Sequence, residues 1–442
     1  MSNAQRAGRK AHNLIWYGAA FAVIAAILCS YLFAGNVNSD HIIAKPKYPG
    51  KIGFNDFEER LKRREEIDEE FIDNLKKFSF NSASMILKEE DSKTNALYSP
   101  MSLYMALAMM AESAQGSTQE EILKAISMND MDMIREQTGK LFRKLYFYNE
   151  IGRLNLANSL WLNKDIEFNK SFLDKMAADY YAHSFSVDFD DKYTSRKISE
   201  WVSEHTGGKL GTDPDDFPID SEQVMTLLNT VYFYDEWVDS FNADKTAKDT
   251  FHLEDGNTIS CDFMNMTRGS HRFVGADGYI ASGLSFKNGG SMVFILPDEG
   301  ISSMDMVSDP AILSEAVNSL FSEKCQFGKV IFKIPKFNYK AELDLRKSVE
   351  SLGIKSVFEA GTADFTPLSE TKPIFVSEIK QSAAISIDEK GCEATAFTKI
   401  DYVGAARPDG TAEMILDRPF IFAITGADAC PLFIGVINNP AA

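Results

Sequence analysis

Near the C-terminus, residues 382–419 impose a requirement that few folds can meet. The stretch opens Ser382-Ala383-Ala384-Ile385-Ser386-Ile387, alternating small or apolar with polar residues as a half-buried strand does, and the strand then ends without a turn signal. Residues 388–398 read DEKGCEATAFT and lead into a polar run containing Gly and Ala as far as Asp417. A free loop of that length inside a compact domain is uncommon and usually functional. Extended, it would turn Cys392, Ala394, Ala396 and Thr398 to one face and Glu393, Thr395, Phe397 and Lys399 to the other. The first set is uniformly small, so a sheet can accept the segment as a new central strand without overfilling the core beneath it. At about 1 kcal/mol net per backbone hydrogen bond, pairing a dozen residues on both sides releases roughly 10–20 kcal/mol. Such a loop is a store of free energy.

Glu389, Lys390, Gly391, Cys392, Glu393, Ala394, Thr395 and Ala396 follow the hinge pattern of inhibitory serpins: two charged residues, Gly, a small residue, Glu and a run of small residues. The chain resembles that family in further blocks, in the family's order: 95–126, 228–241, 294–300, 334–358, 418–424 and 431–440. Together they cover nearly everything from about residue 67 onward. The resemblance implies an α+β serpin domain over 67–442, with three β-sheets, eight to nine helices and a long exposed reactive-centre loop at 389–418. It implies suicide inhibition of serine proteases, in which the cleaved loop, whose hinge runs from Glu389 to Ala396 and on to Phe397 and Thr398, inserts into the main sheet and holds the enzyme as a covalent acyl complex. Counting from Glu389 by family spacing puts the scissile bond at Ala405-Ala406, which suits elastase-like or subtilisin-like targets; Arg407 would suit trypsin-like enzymes, but Pro408 hinders cleavage there. Ser99, Ser102 and Asn229 match the polar cluster that gates sheet opening, and Trp237 matches the Trp where insertion begins. Two residues depart from the pattern. Gln381 stands where many relatives carry His, and Cys392 replaces a common Thr or Ser, leaving the position small but open to oxidation. The blander reading is a solvated surface loop, yet the inward positions carry no Pro or bulky charge. The rival functions are a non-inhibitory serpin acting as a membrane-tethered binding or carrier protein, and an interaction module whose anchor matters most.

At the other end, residues 14–34 contain no charge, and twenty-one helical residues at about 1.5 Å each span the roughly 30 Å hydrocarbon core. Arg6, Arg9 and Lys10 precede this run and no Lys or Arg follows until Lys45, so residues 1–13 are expected to stay cytoplasmic and the rest to lie outside. Retention as a signal-anchor helix and cleavage as a signal peptide both stay open, because Leu32-Phe33-Ala34 only partly matches a cleavage site, and a buried soluble helix is the third reading. A tether and a charged helix are expected over 35–66; the charged run itself, 55–70, alternates in sign. The formal charge of −18 opposes a nucleic-acid partner. Five cysteines, at 29, 261, 325, 392 and 430, form no close pair, so neither a CxxC metal motif nor a disulfide framework is indicated.

The core is expected to begin with the helical stripe Phe71, Leu75, Phe78 and Ile86. A second helix enters through Ser99-Pro100, and Ser117 with Glu120 has capping-box spacing for a third. Strands are expected at 155–162, 226–234, 284–286, 292–296, 330–334, 420–424 and 432–437, with Asn288-Gly289-Gly290 as a hairpin turn. No HExxH, GxSxG, P-loop or GxGxxG motif occurs, and the six His residues have no metal-ligand spacing, so no enzyme, metal or cofactor is expected, and the chain is read as a monomer. Pro214-Asp215-Asp216 reads as a solvated turn rather than a calcium loop, which it lacks the Gly and final Glu to form. Arg135, Lys140, Arg143 and Lys144 are the residues available for a small polyanion patch.

Overall fold

The structure, a computed structural model, describes residues 41–377, 379–392, 410–426 and 429–442. Ile43–Ala442 is one compact unit; the other, Met1–Ile42, falls almost wholly outside the described residues, and the apolar run at 14–34 with it. Among the described residues no helix is long and apolar enough to cross a membrane. Glu393, Ala394, Thr395, Ala396, Phe397, Thr398, Ala405 and Ala406 also lie outside the described residues.

Ten α-helices are described: α1 (Phe57–Lys62), α2 (Glu69–Leu87), α3 (Pro100–Ser113), α4 (Gly116–Ala125), α5 (Met131–Leu145), α6 (Lys170–Asp179), α7 (Tyr193–His205), α8 (Ser303–Ser308), α9 (Pro310–Asn318) and α10 (Arg346–Ser351). Nine lie within 67–442, in line with the serpin-like expectation. Helix α2 forms where the stripe required it: Phe71, Leu75, Phe78 and Ile86 are buried, and the Asp68 carboxylate accepts from Phe71 N at 3.0 Å. The charged run is not one helix, because that same Asp68 cap starts a new helix and residues 64–67 have no helical assignment. Nor does Ser117 cap α4. The cap position belongs to Gln115, whose side chain bonds no helix N–H there, and Gly116 enters at φ +58°.

The strands make three sheets. The first runs β1 (Ile42–Ala44), β5 (Ala182–Val187), β4 (Gly152–Asn163), β6 (Met225–Glu236), β14 (Gly391–Cys392), with β3 (Phe147–Tyr148) on β4. The second runs β15 (Thr411–Ile415), β11 (Gln326–Pro335), β8 (Thr258–Ala276), β9 (Tyr279–Ser285), β10 (Ser291–Pro297), β16 (Phe420–Thr425), β17 (Pro431–Ile437), β2 (Ala96–Tyr98), with β7 (Ala247–His252) on β8. The third is the pair β12 (Phe337–Asp344) and β13 (Lys380–Ile387). Strands β16 and β17 are buried at every position, which is why their sequences read as unbroken apolar runs. Helix α3 is buried almost all round because it packs against both β6 and β17. The segment expected as loop at 389–418 is strand at both described ends: β14 leads it in, and β15 leads out, parallel to β11 with Ala412 and Met414 buried.

Candidate functional site

The strand β13 does end in a turn, contrary to its sequence reading. Asp388 N donates to Gly391 O at 3.0 Å, and the Asp388 carboxylate accepts from Lys390 N (2.8 Å) and Gly391 N (3.2 Å). An Asp that satisfies two backbone donors this way makes a turn without an Asn-Gly or Pro signal. The turn lays Gly391 and Cys392 antiparallel to β6, opposite Glu236 and Asp235. Gly391 has φ +150°, and a Cβ there would strike the Asp235 carbonyl and sit 2.8 Å from Glu236 Cα, so only Gly fits.

The turn is pinned on its other side. Trp237 N donates to Lys390 O (2.9 Å), Phe241 N to Glu389 O (2.8 Å) and Trp237 Nε1 to Asp388 O (3.1 Å). The buried Trp237 ring stacks on Phe286, centroids 4.7 Å apart. Glu389 accepts from Thr246 Oγ1 (2.7 Å) and Lys336 Nζ (2.8 Å). Burial acts to raise its carboxyl, but the two side-chain donors outweigh that and hold it below its usual value.

Beneath the turn lies an acidic pair that was not singled out in the sequence. Asp235 and Glu236 are both buried. Asn288 donates to Asp235 through its backbone N and its Nδ2, each at 2.9 Å, and Glu236 Oε2 pairs with Lys287 Nζ at 2.5 Å. Burial raises the Asp235 carboxyl to about 7. Two acids ending an apolar strand, with Lys-Asn in a nearby hairpin turn, were the available signal.

No ladder joins β13 to β6 among the described residues; β12 and β13 form their own sheet. Between them lies a cavity of about 370 Å³. One wall is the Met225–Thr230 part of β6 and the other the ends of β12 and β13, with α3 on one side and α7 on the other. The expected gate residues divide across this slot. On the β13 wall, Ser99 N donates to Gln381 Oε1 (2.7 Å), Gln381 Nε2 to Ser99 O (2.9 Å), Ser99 Oγ to Leu432 O (2.7 Å), and Ser102 N to Ser99 Oγ (3.2 Å). The Gln381 amide thus serves as both donor and acceptor. On the β6 wall, Asn229 joins none of these. Its Nδ2 donates to Asn158 Oδ1 at 2.6 Å, and Asn158 Nδ2 donates to Tyr180 O at 2.6 Å. Asn229 Oδ1 and Thr230 Oγ1, both lining the cavity, have no partner among the described residues.

The basic residues considered for a polyanion patch are largely neutralised. Arg135 pairs with Glu112 (3.0 Å) and Asp132 (2.6 Å), Lys140 with Glu136 (2.7 Å) and Arg143 with Glu65 (2.6 Å). Pro214–Asp216 is a short 3-10 turn whose nitrogen at Asp215 is held by Asp213, and no group of metal-ligand residues occurs among the described residues. Cys261 and Cys430 are buried thiols.

Comparison with known proteins bears on the whole domain. A family model described as "Serpin (serine protease inhibitor)" matches residues 73–440. Alpha-1-antiproteinase of Rattus norvegicus is 28% identical over 382 residues, spanning 83% of this chain and 88% of the relative. Among solved structures, the thermophilic serpin tengpin in its native state superposes with a TM-score of 0.75 at 29% identity, over 90% of this chain and 100% of that one. Human thyroxine-binding globulin superposes at 0.74 and 25% identity, over 84% and 98%.

Proposed function

The chain belongs to the serpin family, and from that membership we propose that it is a suicide inhibitor of serine-type endopeptidases, with elastase-like or subtilisin-like targets. The observation that carries this reading is the unladdered gap between β6 and β13, at one end of which Gly391 and Cys392 of the hinge already pair with β6 while a cavity lies at the other.

The pairing of Gly391 with Glu236 and Cys392 with Asp235 fixes a register. Continued down β6, it brings Ala394 opposite Phe233, Ala396 opposite Val231, Thr398 opposite Asn229 and Ile400 opposite Leu227. These β6 residues share a face with Leu154, Leu156, Asn158 and Leu160 of β4, the buried side of the sheet. The Asp388–Gly391 turn, continued along β13, brings Thr398 opposite Gln381 as well. An inserted Thr398 hydroxyl would therefore lie between the two halves of the divided gate, where it can donate to the orphan Asn229 Oδ1.

In the proposed reaction the enzyme's Ser Oγ attacks the Ala405 carbonyl, the Ala405–Ala406 C–N bond breaks, and the enzyme's His passes the Ser proton to the departing amine. The acylated segment then enters the slot. Residues 391–405 at about 3.3 Å each reach roughly 45–50 Å, enough to cross a sheet. Pulling on the acylated Ser spoils the oxyanion hole, worth several kcal/mol, and the ester persists.

Incubation with pancreatic elastase or subtilisin tests this directly. A band that survives boiling in detergent, with the mass of enzyme plus the N-terminal fragment, is expected, and the released fragment should begin at Ala406. Ala394→Arg, which puts a charge on the buried face, should be cleaved without forming that band. Cleavage of the unaltered protein without an adduct would favour the carrier reading, to which the likeness to thyroxine-binding globulin lends some support. The inhibitor is placed outside the cytoplasm, tethered through residues 14–34 or released if that run is cut. N-terminal sequencing of the mature protein decides between these.

A further inference from the structure

The cavity between β6 and β13 is more than a vacant strand seat. A strand entering the gap would bond to the backbone edges of β6 and β13 and need little else. The cavity reaches further. Leu103, Ala106 and Met110 of α3 line it from one side and Ile198 and Val202 of α7 from the other. Phe217, Pro218 and Phe375 line it as well, and Phe375, at 45% exposure, marks its mouth. Its volume of about 370 Å³ falls within the range of small-molecule sites, roughly 300–1,000 Å³, and is more than twice the roughly 150 Å³ that takes up benzene.

The polar groups of the lining define what fits. Asn229 and Thr230 form part of the β6 wall, and Thr230 is only 5% exposed. Asn229 Oδ1 and Thr230 Oγ1 have no partner among the described residues. An amide oxygen only accepts hydrogen bonds, so this wall calls for a donor, and a buried polar atom left unpaired costs stability until one arrives. The exposed part of the lining carries three carboxylates, Asp216, Glu342 and Asp344, against one ammonium, Lys380. An anion is therefore disfavoured at the mouth, and a neutral or cationic molecule is not.

We propose that the cavity is a binding site for a small apolar molecule, neutral or cationic, with one hydroxyl or amine group that donates to Asn229 Oδ1. A two-ring alcohol or amine has this chemistry. The site stands independently of the inhibitory reading, but its regulatory consequence rests on that reading. The register drawn from Gly391 and Cys392 runs Thr398 past Asn229 and Ile400 past Leu227, through the same space. Ligand and inserted strand then exclude one another. A filled cavity holds insertion back, and by linkage insertion expels the ligand.

Calorimetric titration of the intact full chain with 2-naphthol, naphthalene and 2-naphthoate at neutral pH tests the site. 2-Naphthol should bind about tenfold more tightly than naphthalene, the worth of a hydrogen bond to an unpaired buried acceptor, and 2-naphthoate more weakly than either. Asn229→Leu should bring 2-naphthol and naphthalene to within about twofold of each other. Ala106→Leu, which fills part of the cavity from α3, should weaken both by about tenfold and keeps the test open if Asn229→Leu does not fold. Equal affinity for the three compounds, or affinities that neither variant changes, would overturn the site. Nicking the loop separates this outcome from the inhibitory reading. A nicked protein that melts higher and no longer binds 2-naphthol supports both. One that melts higher yet binds as before places the naphthol elsewhere and overturns the proposal. One that melts like the intact protein and still binds has taken in no strand; the inhibitory reading falls, and the site, judged by its two variants, stands.

Discussion

Asp235 carries a pH dependence whose sign follows from its surroundings. Burial raises its carboxyl to about 7, the neighbouring charge of Glu236 adds to that, and the Asn288 and Glu236 N–H donors only partly offset it. In the unfolded chain the same group titrates near 4. Between about pH 4 and pH 7 the folded protein therefore keeps a proton that the unfolded chain releases, and stability falls as pH rises through that window, by up to a few kcal/mol. Above it the contribution levels off. Asp235→Asn, neutral throughout, should remove this part of the slope, read as urea midpoints at several pH values; the same slope in variant and unaltered protein would refute the assignment. Of the residues named from sequence, Ser99, Ser102 and Gln381 do meet, because a helix cap and a side-chain amide on β13 satisfy each other. Asn229 does not meet them. Its partner Asn158 is 71 residues away, and nothing in either residue's sequence neighbourhood indicates that pairing.

The hinge turn is the element on which the proposed insertion depends, and two substitutions separate its backbone from its side chains. Gly391→Ala places a methyl against the Asp235 carbonyl in a conformation costly to L residues, so it should destabilise the intact form by about 1–3 kcal/mol. Glu389→Gln keeps an acceptor for Thr246 and should cost no more than about 1 kcal/mol, since its ion pair with Lys336 is partly exposed. Denaturation midpoints showing the reverse order would mean that the salt bridge, not the glycine, holds the turn. Elements whose side chains carry their own pattern were legible: the α2 stripe, β10, β16, β17, and the hairpin turn at Asn288. The nineteen residues of β8 were not, because Thr267, Gly269, Ser270 and Arg272 are exposed in mid-strand; the ladder to β11 holds Thr267 and Arg272 there, and Gly269 and Ser270 fall at its register shift. Strand β15 was missed for a different reason. Its alternation of exposed Thr411 and Glu413 with buried Ala412 and Met414 is only five residues long and follows a run that reads as loop.

At the scale of the molecule, the small-residue face of 392–398 indicated that some sheet must have room for a strand, but not which one. Sequence patterns each strand for its own faces, and a missing neighbour leaves no mark on the strands that flank the gap. Among the described residues the gap shows as the cavity between β6 and β13, as β13 pairing with β12 alone, and as unpartnered oxygens on Asn229 and Thr230. It can be filled from outside. A free peptide of residues 392–402 can form the same two ladders, at about 1 kcal/mol net per hydrogen bond, and should raise the melting temperature toward that of the nicked protein. With the slot filled, the protein's own loop has nowhere to go, so elastase or subtilisin should then cleave it and leave without an adduct. The same peptide carrying Thr398→Arg would bring a charge between Asn229 and Gln381 on the buried face, and it should neither stabilise the protein nor block trapping. Equal action of the two peptides would place their binding elsewhere, and the register drawn from Gly391 and Cys392 would have to be given up.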